Sequence, residues 1–180
     1  MLKYLDESGF SLWASVSYSY SRIGDQKYLE QTPKRWGSRI SILGIWEKDS
    51  QFDYALAQGG FKSDSYIKVM NWQAQKAALQ LEQTGQITVI VQDNGPIHLS
   101  KATQSQWAQW QAQGLFLFQL PKYCSEMNPI ESEWHQLKTH EIAGQMFDNE
   151  YDLALAVMAG VEARSQRGGY DQERFRFKSA

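Results

Sequence analysis

Two aspartates sit where acidic side chains could do chemistry. Asp6 lies inside an alternating segment, Lys3 to Trp13, that reads as a strand, and Asp93 follows Ile87 to Val91, a short apolar, β-branched run suited to a buried strand. Parallel neighbouring strands run ~4.8 Å apart. Carboxylates at adjacent positions on them can therefore grip one divalent cation through Mg–O bonds of ~2.0–2.1 Å. A third carboxylate delivered from a helix would complete a two-metal site for in-line phosphoryl transfer, its ions ~3.5–4 Å apart. Such a cluster depends on cations, because two carboxylates ~5 Å apart at an effective dielectric of ~20 repel by about 3 kcal/mol. Without metal it would take up protons instead. The plainer alternative is that Asp6 and Asp93 cap a strand end or a turn, and spacing alone does not choose between the two.

Two glutamates compete for the third place. Asn128, Pro129 and Glu131 have the spacing of an N-cap, a first-turn proline and a capping-box acid, which would give Glu131 a purely structural bond to the Asn128 backbone. At 100° per residue, Ile130, Trp134 and Leu137 form one core stripe. Glu131 then falls on one flank with His135 and Lys138, and Glu133 on the other near Gln136. An acid beside two potentially cationic groups suits a metal-and-phosphate face, but the geometry leaves Glu133 open.

The elements that must hold these acids follow from pattern. After the first strand, Ser17 to Arg35 reads as a long polar excursion, and Arg39 to Trp46 and Phe52 to Gln58 as two strands joined at Lys48–Ser50. Ser63, Asp64 and Ser65 offer N-caps for a helix that stops at Gly85. Ser100 caps a second helix ending near Gly114, and Leu115 to Leu120 is a fifth strand, apolar throughout and so expected to be covered on both faces. Asn128 onward is helical, and Asp148 caps a last apolar helix through Ala159. Three meandering strands followed by two helix-linked ones predict an α/β fold, a five-stranded mixed sheet flanked by helices, in ribonuclease-H-like order. Residues 1–163 form the domain, and residues 164–180, with Arg164, Arg167, Arg174, Arg176 and Lys178, read as a basic tail, either solvated or touching a DNA backbone.

Three strings choose among these readings: YLDESGF at Tyr4 to Phe10, VQDNGPIH at Val91 to His98, and LPKYCSEMNPIESEWHQLK at Leu120 to Lys138. In order, they resemble the signature blocks of the Tc/mariner superfamily of transposases, in its bacterial insertion-sequence branch, and RWGSRISILG at Arg35 to Gly44 fits as well. The resemblance spans nearly the whole chain. It implies a ribonuclease-H-like catalytic domain that nicks DNA hydrolytically and transfers strands at the ends of a mobile element. Asp6 and Asp93 match the metal-binding aspartates, Glu131 matches the third acid, and the implied cofactor is Mg²⁺ or Mn²⁺, as two ions. Asn94 and His98 match polar positions of the second block. With Arg35, Trp36, Lys122, His135 and Lys138 they are the candidate DNA contacts, while His98 equally suits orienting the Asp93 loop or serving as a polar surface or capping group near a helix start. The third block departs from the family at Lys122, Cys124 and Ser125, where Pro, Ser and Pro are usual, and the spacing from Asp93 to Glu131 is slightly long.

Composition bounds the rest. The 180 residues suffice for one domain, and with 42% hydrophobic and 13% aromatic residues the chain can build a core. Its single cysteine, Cys124, excludes an internal disulfide and a cysteine-based zinc site. No run approaches a membrane span and no signal peptide is legible, which points to the cytoplasm, at the nucleoid. His140-Glu141 opens like a zincin motif, but Gly144 stands where the second histidine belongs. A net charge of −2 is low for a self-sufficient DNA binder. Because the first catalytic strand starts almost at Met1, the family's terminal-repeat-reading helix-turn-helix region is expected on a separate or frameshifted reading frame, unless the chain is a truncated relic. The expected partners are DNA, as element ends and target, and that region; a homodimer is left open. Two rivals remain: another ribonuclease-H-like nuclease, such as a junction resolvase or an RNA–DNA hybrid hydrolase, and an inactive DNA-binding remnant.

Overall fold

A computed structural model describes residues 1–12, 39–121 and 124–177. The long polar excursion, with Arg35 and Trp36, and Lys122 in the third block lie outside the described residues. The elements run β1 (Leu2–Ser11), β2 (Arg39–Glu47), β3 (Gln51–Gln58), α1 (Ser63–Thr84), β4 (Thr88–Gln92), α2 (Lys101–Gln104), α3 (Trp107–Ala112), β5 (Leu115–Gln119), α4 (Ile130–Gln136), α5 (Glu150–Gly168) and β6 (Asp171–Phe175). A 3₁₀ turn over Ser125–Met127 precedes α4, and a π-helical turn, Leu137–Ile142, extends it.

The sheet has the order β5-β4-β1-β2-β3-β6. β1, β2 and β3 form an antiparallel meander, while β4 and β5 join β1 in parallel. Alternation along β1 sends Leu5 into a core under α1 and sends Phe10 and Leu12 into a second core under α4 and α5. Asp6 shares the parity of Tyr4 and Phe10, so it faces α4. β1 pairs with β4 with Tyr4 opposite Val91. Continuing that register by two residues sets Asp93 beside Asp6, just past the end of β4.

Among the described residues the sheet has six strands where the sequence predicts five. The last helix runs to Gly168 instead of stopping near Ala159, Gly169 turns the chain with a left-handed φ of 68°, and Asp171–Phe175 pairs in parallel with β3. The segment read as a basic tail is thus largely helix and strand. Apolar and ionic contacts hold it: Phe175 packs on Trp72, and Lys76 bridges Glu173 to the fully buried Asp53. Asp53 also takes Lys3 and Gln73, so its buried charge is paired and hydrogen-bonded.

Strand β5 differs in the other direction. Leu115 is buried beneath α1 and α3, but Phe116 and Phe118 on the opposite face are 36% and 55% exposed. Among the described residues the second face of β5 has no cover, because α4 and α5 lie over β1–β3 and stop short of this edge. The second predicted helix is two short ones, α2 and α3, although Ser100 caps as expected by accepting the Thr103 N–H. The cap of α1 falls on Lys62, whose N–H is taken by Ser65. α5 is capped by Asn149, one residue after the predicted Asp148.

Candidate active site

Asp6 projects from the middle of β1 towards α4, where the Trp134 indole Nε1–H donates to its Oδ2 at 2.9 Å. That approach needs the sheet to be bare beneath the ring. Gly44, the β2 partner of Asp6, supplies the space, because a Cβ there would run into Trp134. Sequence reasoning made Trp134 a core residue only. It is buried as expected, but it also grips the first aspartate from 128 residues away in the chain.

Asp93 sits in the turn after β4. Its Oδ1 accepts the Gly95 N–H at 2.9 Å and lies 2.7 Å from His98 Nδ1. His98 is 3% exposed, so the DNA contact expected of it is closed off: the ring is packed inside, against Tyr66. Asn94 is half-buried, and its amide donates to the Leu120 carbonyl at the end of β5.

Glu131 stands exposed on the first turn of α4, on the flank it shares with exposed His135 and Lys138. Lys138 Nζ lies over the Phe10 ring at 5.7 Å, which holds that cation on the Asp6 side of the sheet. The capping box is not formed. The N-cap is Pro129, no side-chain cap bond is made, and the Asn128 amide reaches the Leu5 carbonyl instead, tying the start of α4 to β1 next to Asp6. Glu133 is occupied: Arg164 Nε and Nη2 fork onto its carboxylate at 2.8–2.9 Å, and the Tyr170 hydroxyl adds a bond at 3.2 Å. Arg164, read as the first residue of a tail, was invisible as a partner because the contact spans 31 residues and follows no helical spacing.

The electrostatics separate the two aspartates. Burial pushes the Asp6 carboxyl up to about 6 from 3.8, and the nearby charges of Asp93 and Glu131 push the same way, against the Glu7 backbone and Trp134 donors. The His98 hydrogen bond holds Asp93 below its usual value, with burial opposing. Burial also raises Glu7, next along β1 and facing away from Asp6, with the nearby His98 opposing the rise. Among the described residues, no three His, Cys, Asp or Glu side chains stand close enough to cage an ion as they are. The donor set still suits a hard cation: three carboxylates from separate stretches, two of them raising the pKa of the half-buried third.

A pH test follows from Asp6. A carboxyl whose folded pKa exceeds its unfolded value adds stability below the unfolded pKa and loses it as pH rises through the folded one. Metal-free Asp6→Asn should therefore melt above wild type at pH 7.5, by at most about 3 kcal/mol for a shift of roughly two units. The gain should vanish near pH 4. Thermal melts in chelator across pH 4–8 check this, and equal gains at both ends would refute the assignment.

The chain is similar to several known proteins. A family model described as DDE superfamily endonuclease matches residues 1–154. The Tc1 transposable-element transposase of Caenorhabditis elegans is 29% identical over 138 residues, covering 74% of this chain and 49% of that protein. The chain thus spans about half the length of this curated relative. Among solved structures, a pre-cleavage Mos1 transpososome superposes with a TM-score of 0.66 at 15% identity, over 93% of this chain and 54% of its own. A Mos1 mariner paired-end complex with Mn gives 0.64 at 16% identity over 93% and 53%. The catalytic domain of Mos1 mariner transposase gives 0.58 at 13% over 93% and 78%. At these identities the structures establish the fold, which is ribonuclease-H-like.

Proposed function

Because the chain belongs to the DDE superfamily of endonucleases, we propose that it is a transposase catalytic domain that cleaves DNA at the ends of a mobile element and transfers the strands. Asp6, Asp93 and Glu131 are its catalytic acids. The observation that carries this is the convergence of two acids on a third: the Trp134-bound Asp6 of β1 feels the charges of Asp93 after β4 and Glu131 on α4, although these come from distant parts of the sequence. The pairing of Glu133 with Arg164 supports Glu131 over its neighbour.

The three acids would hold Mg²⁺ or Mn²⁺, as two ions. When bound, these supply polarisation of the scissile phosphate and activation of the attacking hydroxyl. The protein's own part is orientation. Trp134 fixes one oxygen of Asp6, the Asn128–Leu5 bond anchors α4 to β1, and Arg164 keeps Glu133 out of the site. Lys138 and His135 flank Glu131 and are proposed to meet the phosphate backbone. Arg35, Trp36 and Lys122 are proposed as further DNA contacts. No described helix is long and apolar enough to cross a membrane. Both the pre-cleavage transpososome and the Mn-containing paired-end complex above are assemblies of Mos1. By analogy we assign element ends and target DNA as partners here, with a homodimer as the working assembly at the nucleoid.

Sequence reading is assigned to a helix-turn-helix region outside these 180 residues. Phosphate contacts position a protein without reading bases, and a chain of net charge −2 has few to offer. The 180 residues alone should bind DNA at ~10⁻⁴–10⁻⁶ M, with no preference for element ends and with affinity falling steeply in salt. In Mn²⁺ they should nick end-labelled duplex, leaving 3′-hydroxyls. Titration and nicking of matched and scrambled duplexes at two salt concentrations test both statements. Tight, end-specific binding would overturn the division of labour, and nicking that persists in Asp93→Asn would overturn the function.

A further inference from the structure

The turn that carries Asp93 folds back on itself. His98 N–H donates to the Gly95 carbonyl at 3.0 Å, and the Leu99 N–H reaches the same carbonyl at 3.2 Å. This brings the imidazole under the aspartate whose turn it closes. His98 Nδ1 lies 2.7 Å from Asp93 Oδ1 and 3.2 Å from the Asp93 carbonyl. Both are acceptors, so the proton belongs on Nδ1. The ring is wedged against fully buried Tyr66, centroids 4.8 Å apart. Tyr66 in turn donates to Gln92, the residue before Asp93, at 2.6 Å. Nε2 is buried and has no partner among the described residues, so the ring is held through Nδ1 alone. Gly95 completes the fit: a Cβ there would stand 3.1 Å from Asp93 Oδ1 and 3.2 Å from His98 Nδ1, crowding the bridge. Both described bonds to the carboxylate fall on Oδ1, and Oδ2 accepts nothing from the described residues.

We propose that His98 is a positioning residue. Its Nδ1–H, with the Gly95 N–H, pins one oxygen of Asp93 so that the other is presented to the cation. This role rests on the metal-site reading above and favours orientation of the Asp93 loop over the phosphate contact, both of which the sequence left open. Groups that orient metal ligands in this way are typically worth about 10–100-fold in metal affinity.

The stereochemistry of the bridge gives a test that a packing role would not pass. Asparagine carries its amide nitrogen where histidine has Nδ1, whereas glutamine carries it where histidine has Nε2. Manganese affinity is read from the free-ion electron paramagnetic resonance signal of the full chain, and metal-free melting temperature is measured alongside. His98→Asn should stay within about threefold of wild type in Mn²⁺ affinity, and His98→Gln should lose about 10–100-fold, although both melt lower without metal. Saturating Mn²⁺ should restore nicking to His98→Gln. Equal affinities for the two variants, or a glutamine variant as tight as wild type, would overturn the role while leaving the site intact. A wild-type chain that takes up no manganese would remove the site itself and the role with it.

Discussion

Glu131→Gln is expected to slow single-turnover nicking by about a thousandfold or more, while Glu133→Gln stays within about tenfold of wild type. Metal-stabilised charge in phosphoryl transfer is worth several kcal/mol, and about 4 kcal/mol corresponds to about a thousandfold in rate. Glutamine removes the charge of a ligand but keeps its shape, and because Glu131 is exposed and caps nothing, the fold should hardly notice. Glu133 has the opposite profile. Its carboxylate takes the Arg164 fork and the Tyr170 hydroxyl. Its replacement weakens charge-assisted bonds worth about 1.5–3 kcal/mol each, so the melting temperature should fall by several degrees. Reversed profiles would transfer the third ligand to Glu133.

Divalent metal should raise the melting temperature of the wild-type chain, and neither Asp6→Asn nor Asp93→Asn should show the rise. A ligand that binds only the folded state stabilises by about 2.7 kcal/mol at a hundred times its dissociation constant. For a chain of this size that is roughly 5–11 °C. The two aspartate variants should part company without metal. Asp6→Asn relieves a half-buried carboxylate whose pKa is raised to about 6, whereas Asp93→Asn gives up the favourable bond from His98. Calorimetric scans in chelator and in Mn²⁺ check both halves. A wild-type melt indifferent to millimolar Mn²⁺ would count against the site.

Much of this was legible in the sequence because it is local. β-Alternation gave the parity of Asp6, Gly85 marked the end of α1, and the 3.6-residue stripe put Ile130, Trp134 and Leu137 inside and Glu131 outside. What escaped depends on partners far along the chain. The capping box at Asn128 was a reasonable local motif, but the Asn128 amide had a better-placed acceptor at Leu5. The apolar run of β5 gave no sign that its strand would lie at the sheet edge, with Phe116 and Phe118 exposed. The last strand hid in a charged segment, Asp171–Phe175, whose place is set by β3 backbone pairing and by the Lys76–Glu173 bridge. The sequence showed His98 as a polar residue near a metal aspartate, but not that its ring turns inward.

The most direct test of the central claim is an anomalous-scattering map from crystals of the chain grown with Mn²⁺. The account predicts a manganese peak shared by the Asp6 and Asp93 carboxylates, at bond lengths of roughly 2.0–2.3 Å. Glu131 should face it or a second ion, and the Glu133–Arg164 pair should remain closed. A map with manganese bound only elsewhere, or with Glu133 released from Arg164 to ligate it, would contradict the account.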